Sequence, residues 1–231
     1  MPDDKINACQ TAIDGTDSSK RANDKQAGGK QAGGKQAGGK QADEKENHMK
    51  HRIELKKLRF DSADIPKLKQ LNQEAFPPEE RIEVQRMFQS AEYWDLDILG
   101  IYNNGHFIGF FDVMKKGLCA YIFYFAVCAK ERSKGYGGLA LEALKKRYSE
   151  YQIVVDFEAQ DETAANAEQR RHRRSFYLRN GYYPTGYYQF YMNTEFEIAC
   201  TQPEFNKEAF ESVLAEIQTK VHGFQPHLYQ K

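Results

Sequence analysis

Apolar positions along this chain change their spacing several times, and each change marks an element. From Arg52 to Phe60 apolar and polar residues alternate, which predicts a strand covered on one face. After Asp61 or Ser62 the spacing becomes helical, through Ile65, Leu68 and Leu71, with Pro66 in the first turn. Phe76-Pro77-Pro78 breaks that helix, and Glu79–Phe88 reads as a second, short one. Three strands are predicted next, Leu96–Tyr102, Phe107–Met114 and Tyr121–Val127, with turns containing Asn103-Asn104-Gly105 and Lys115-Lys116-Gly117. Connections this short make an antiparallel meander and not a βαβ unit.

A basic glycine loop, Arg132–Gly138, follows the meander. The pattern then predicts a helix over Leu139–Tyr148, a strand over Gln152–Glu158, and a helix from about Ala165 to Asn180 that Gly181 stops. Tyr187–Met192 and Phe196–Thr201 read as closing strands, and Phe205–Lys220 as a last helical stretch. The order β-α-α-β-β-β-α-β-α-β-β describes an α/β (α+β) chain with a mixed, mostly antiparallel sheet and flanking helices.

Before all of this, Lys25–Ala42 reads KQAGG three times and then KQA, among Asp, Lys, Ser and Ala. Such a segment buries too little apolar area to offset its chain entropy. Residues 1–48 are therefore expected to be a low-complexity leader, native or appended at His48-Met49, and residues 49–231 the single folded domain. Lysine plus arginine and aspartate plus glutamate number 33 each, which gives no global field for nucleic acid or an anionic membrane. Cys9, Cys119, Cys128 and Cys200 are widely spaced, with no C-x-x-C pair and no histidine at zinc-ligand spacing, so reduced thiols and no metal are expected. The least charged run, Leu118–Ala129, is too short to span a bilayer, and the amino terminus has no apolar signal region. A cytoplasmic location is the expectation.

The loop E-R-S-K-G-Y-G-G carries the chemistry. Backbone N–H groups in a glycine turn that opens a helix form a concave anion site, to which the helix dipole adds positive potential. Arg132 and Lys134 add mobile charge, and Gly135 and Gly137 let a phosphate approach the backbone. Gly135-x-Gly137-x-x-Ala140 also fits a dinucleotide-binding turn, with Asp156 or Glu158 downstream. Against that stand the seven residues between Val127 and Gly135, and the hairpins that precede the loop. A Walker loop fails, because no Gly-Lys-Ser/Thr follows.

Phe125-Ala126-Val127 followed by Arg132-Ser133-Lys134-Gly135-Tyr136-Gly137 resembles the signature of the Gcn5-related N-acetyltransferase (GNAT) superfamily. Phe176-Tyr177-Leu178-Arg179-Asn180-Gly181-Tyr182 resembles its second motif, and the resemblance spans roughly residues 50–200. It implies a GNAT fold with a central splayed strand pair, acetyl-CoA as cosubstrate, and a primary amine of a small molecule or protein as acceptor. It further implies that Phe125, Ala126 and Val127 pair with the pantetheine arm, with the Val127 amide facing the thioester oxygen. Arg132, Ser133, Lys134, Gly135, Tyr136, Gly137 and Gly138 would hold the pyrophosphate. Tyr177 is the implied general acid, since an ordinary phenol near pKa 10 is protonated at neutral pH. Glu158 is the candidate base, with Asp156 or water as alternatives, and Glu79, Glu80 and Glu83 would border the acceptor. The cluster Arg170-Arg171-His172-Arg173-Arg174 stands where many members carry an asparagine; it would hold the CoA 3′-phosphate or form a solvated face. Exposed closing strands in such folds often pair, which admits a homodimer. An acyl-CoA-sensing module without turnover is the alternative function.

Overall fold

The computed structural model describes residues 52–231, apart from 79, 192, 222 and 223, together with the backbone of Gln10–Ala12. The elements are β1 (Gln10–Ala12), β2 (Ile53–Lys57), α1 (Ile65–Ala75), α2 (Val84–Ser90), β3 (Leu96–Asn103), β4 (His106–Lys116) and β5 (Cys119–Val127). Then follow α3 (Tyr136–Arg147), β6 (Gln152–Glu158), α4 (Ala167–Arg179), β7 (Tyr183–Tyr191), β8 (Thr194–Cys200), α5 (Lys207–Gln218) and β9 (His227–Gln230). The strands form one sheet in the order β2-β3-β4-β5-β6-β8-β7-β9, with β1 laid on β5.

The sheet separates two helical layers. Phe76 at the end of α1 packs on Phe110 and Tyr124, Tyr102 donates to Asp64 at the start of α1, and Phe210 of α5 meets Tyr121. These contacts place α1 and α5 on one face. On the other, Tyr148 after α3 donates to Asp97, and Tyr177 of α4 stacks on Phe157. Because β3, β4 and β5 are covered on both faces, their core positions are buried along nearly their whole length.

β5 and β6 run parallel but stay paired for three residues only, Cys119↔Gln152, Ala120↔Ile153 and Tyr121↔Val154. Immediately beyond, Phe123 is an extra residue in β5, since Asp112 faces Tyr124 while Val113 faces Ile122. A bulge bends its strand, so β5 leaves β6 where the pairing stops. β6 continues against β8 alone, from Val154 to Glu158. The expected splayed pair is present.

Several boundaries differ from the sequence reading. The second helix starts at Val84 rather than Glu79, because Pro77 and Pro78 carry the chain into a turn first. β7 begins at Tyr183, with a register shift between Pro184 and Tyr188 that contains Gly186 at φ +76°. α3 begins at Tyr136, three residues early. β9 pairs with β7 and was not anticipated. Gln10–Ala12 lies inside the segment read as an unfolded leader, yet its backbone pairs in parallel with Tyr124–Ala126. The rest of residues 1–48, including Cys9, lies outside the described residues. Cys119 and Cys200 are buried, Cys128 partly so, and burial pushes the Cys119 thiol up to about 12.

Candidate functional site

The open edge of β5 can be read from its register with β4. The Cys128 N–H donates to the Ile108 carbonyl at 2.8 Å, which makes that position a hydrogen-bonded pair. Bonded and non-bonded pairs alternate along an antiparallel ladder. Gly109↔Val127 and Phe111↔Phe125 are therefore non-bonded pairs, and Phe110↔Ala126 is a bonded one. The N–H and C=O groups of Phe125 and Val127 consequently point away from β4, into the gap left by β6. Ala126 spends its own on β4. Gln10–Ala12 pairing along this edge demonstrates that it accepts an extended chain.

From Val127 the chain turns through a short 3₁₀ segment, Ala129–Glu131, into the glycine loop. Arg132 Nε donates to the Val127 carbonyl at 2.9 Å, tying the loop to the end of the open edge. Ser133 (φ +60°) and Gly135 (φ +82°) are left-handed, and α3 starts directly after Gly135, with no side-chain cap. Periodicity missed this early start because Tyr136, Gly137 and Gly138 add nothing to an apolar stripe. The first-turn N–H groups of α3 have no acceptor within the helix, so they face a cavity of about 400 Å³. Val127, Arg132, Ser133, Gly135, Gly137 and Gly138 line it from the loop side, and His172, Phe176 and Arg179 from α4. A Cβ on Gly138 would lie 2.7 Å from Asn180 Oδ1, so glycine there lets the two helix ends close on each other. Lys145 Nζ locks that junction by donating to the Asn180 carbonyl at 2.8 Å. Tyr136 is buried, and its hydroxyl accepts from Asn103 Nδ2. The arrangement suits a phosphate-bearing ligand whose extended arm runs along the β5 edge.

The arginine cluster on α4 divides by direction. Arg170 and Arg173 each pair with Glu158 at 3.0 Å, Arg174 pairs with buried Glu197 at 2.8 Å, and Arg171 pairs with Glu162. The basic side chains from α4 that line the cavity are instead His172 and Arg179, with Phe176 between them. Arg179 stands in the middle of the second motif, which was read for Tyr177 alone, and His172 was hidden among four arginines.

Glu158 accepts from Asn166 Nδ2 as well as from both guanidinium groups. Both of its oxygens are occupied by donors from the start and middle of α4, so this side chain holds α4 to the sheet and has no oxygen left to turn toward an incoming amine. Asp156, two residues back along β6, is fully buried and accepts from Tyr121 Oη at 2.9 Å and from Gln189. It sits on β6 just beyond the last residue paired with β5. Tyr177 is fully buried, its ring 5.5 Å from Phe157 and 5.3 Å from Tyr182.

Glu80 lies partly exposed, and its carbonyl accepts from Tyr124 Oη at 2.9 Å; Glu79 is outside the described residues. Glu83 lines a second cavity, of about 480 Å³, between α2 and the chain just after α5. Among the described residues no group of three His, Cys, Asp or Glu side chains is placed to hold a metal ion. No helix among them is long and apolar enough to cross a membrane.

Comparison with known proteins agrees with this geometry. No curated protein matches the sequence significantly. The fold is similar to that of an acetyltransferase assigned to the GNAT family from Bacteroides thetaiotaomicron, at 22% identity and a TM-score of 0.59, over 74% of this chain and 98% of that one. It is also similar to an aminoglycoside 6'-N-acetyltransferase complexed with coenzyme A (13% identity, TM-score 0.51, 66% of this chain and 99% of that one). Ard1 from Thermoplasma volcanium gives 16% identity and a TM-score of 0.50, over 64% of this chain and 95% of that one. Identities this low show likeness of fold. The sequence profile of the acetyltransferase (GNAT) family matches residues 65–182, just over half of the chain, and covers both the loop and the Tyr177 motif. The chain belongs to the GNAT acetyltransferase family.

Proposed function

We propose that the protein moves the acetyl group of acetyl-CoA to a primary amine, by direct attack within a ternary complex in the cytoplasm. One observation supports this above the others: Val127 ends the open edge of β5 and also lines the cavity at the amino end of α3. The two features thereby make one groove for an extended arm with a phosphate at its far end.

In this reading the loop from Arg132 to Gly138 holds the pyrophosphate, with backbone amides as the main donors. Phe125 and Val127 pair with the pantetheine arm, and the Val127 N–H stabilises the negative charge that develops on the thioester oxygen. As the neutral amine adds, the new C–N bond forms and the C–S bond breaks. The Tyr177 phenol gives its proton to the departing thiolate. The amine's own proton leaves to Asp156 or to water, and Glu158 acts structurally.

The test is release of free CoA from acetyl-CoA in the presence of a panel of amines, beside the thermal midpoint with and without acetyl-CoA. Acetyl-CoA should raise the midpoint, and at least one amine should release CoA. In Tyr177→Phe release should slow by about 10²-fold, within the range for general acids, while the midpoint shift persists. A midpoint shift without release for any amine would favour a sensing module, and no shift at all would remove acetyl-CoA from the proposal.

A further inference from the structure

Away from the phosphate loop, the cavity between α2 and the chain after α5 combines features that no part of the reading above uses. Among the described residues its rim carries Arg81 and Lys220, with Glu83 as the one acid in its lining. It shares Ile82, Ser90 and Trp94 with a much smaller inner space of about 10 Å³, which ends on Asp112, Phe123 and Tyr124. Asp112 is 3% exposed and Trp94 8%. Asp112 Oδ1 and Trp94 Nε1 are both buried without a hydrogen-bond partner among the described residues.

Burying polar atoms unsatisfied is costly, so this pair asks for a small group that accepts from the indole N–H and donates to the carboxyl oxygen of Asp112. A neutral primary amine does both: its lone pair accepts from Trp94, and one N–H donates to Asp112. The inner space has room for one group of about that size. At the rim, Arg81, whose Nε lies 3.8 Å from Glu83, and Lys220, 5.7 Å over the Tyr93 ring, ask for a carboxylate or another anion. The inner end also abuts Tyr124, the residue before Phe125, where the backbone of β5 first faces the gap.

We propose that this cavity binds a molecule with a primary amine at one end and an anionic group at the other, the amine seated between Trp94 and Asp112 and the anion held by Arg81 and Lys220. Calling that molecule the acetyl acceptor rests on the acetyltransferase reading; the binding site itself does not. A rim of this sign turns the expected acceptor away from the purely cationic amine that Glu79 and Glu80 would attract.

Trp94 is the only tryptophan in the chain, so its emission reports on this cavity alone. The full chain should be titrated with 6-aminohexanoate, hexylamine, hexanoate and 6-(trimethylammonio)hexanoate. The amino acid should change Trp94 emission at a concentration at least tenfold below any of the other three, and Lys220→Glu and Asp112→Asn should each erase that preference. The thermal midpoint, and its rise with acetyl-CoA, check that each variant is folded; Lys220 is at the surface, so its variant keeps the test decisive if Asp112→Asn does not fold. Equal responses to hexanoate or hexylamine would overturn the two-ended site, as would no response to any probe, which would leave a buried water between Trp94 and Asp112. CoA release measured in the same samples separates the two proposals. Binding without release sinks the acetyl-acceptor assignment and leaves the site standing; release without an emission change sinks the site.

Discussion

Asp112→Asn gives the sharpest prediction about the folded state. Burial, helped by the negative charge of Asp97, raises the Asp112 carboxyl from 3.8 to about 7. Proton binding is then tighter in the folded chain than in the unfolded one. The folded state therefore has its full advantage below pH 4 and loses it as the pH climbs through 7. At roughly 1.4 kcal/mol per pH unit, the loss across that window is about 4 kcal/mol. An asparagine amide keeps nearly the same shape and does not titrate. Urea unfolding at pH 5, 6, 7 and 8 should show wild type losing about 3 kcal/mol more than Asp112→Asn over that range. Contributions from the remaining titrating groups cancel in the difference. Parallel profiles for the two proteins would refute a carboxyl held neutral by burial, and a wild type that gained on the variant with rising pH would mean a cation pairs with Asp112.

Three further predictions concern the site and its supports. Gly135→Ala has open space for its Cβ but keeps a φ of +82°, so it should cost about 1–2 kcal/mol of stability and weaken acetyl-CoA binding, both read from midpoints with and without ligand. Arg174→Ala leaves Glu197 buried and unpaired; unfolding should become easier by about 2 kcal/mol, toward the low end for such pairs because Arg174 is partly exposed, and adding Glu197→Gln should recover most of it. Removing residues 1–48 frees the Tyr124–Ala126 edge from Gln10–Ala12, so the half-saturating acetyl-CoA concentration should fall by about twofold or more; an unchanged value would show that the segment and the arm do not compete.

Much of the architecture was legible because it rests on local rules. The alternation in Leu96–Val127 and its glycine turns specify a meander, since nearby strands joined by short turns have few other ways to pair. The glycine loop was legible for a different reason: Gly135 sits at a left-handed backbone position that other residues avoid. Element ends were less legible. α3 starts within the glycines, where no apolar stripe exists, and β9 is a four-residue strand whose only support is its partner β7.

Side-chain roles were the least legible, because charge pairing is settled in space. From the sequence Glu158 is an acid at a strand end beside an arginine-rich helix, which fits a base and a structural ion pair equally well. Only the docking of α4 brings Arg170 and Arg173 onto both of its oxygens. Asp112 gave no signal at all, being one polar residue in an apolar strand, until the Phe123 bulge and α2 enclosed it with Trp94. Element order, the glycine loop and the family could be read from the chain alone. Tertiary packing settles which strand edge stays open, which acids are ion-paired and where an unsatisfied carboxyl oxygen faces a cavity. The first group depends on backbone conformation and periodicity, which are local. The second depends on desolvation and contacts between segments far apart in the chain, which exist only once the sheet has closed.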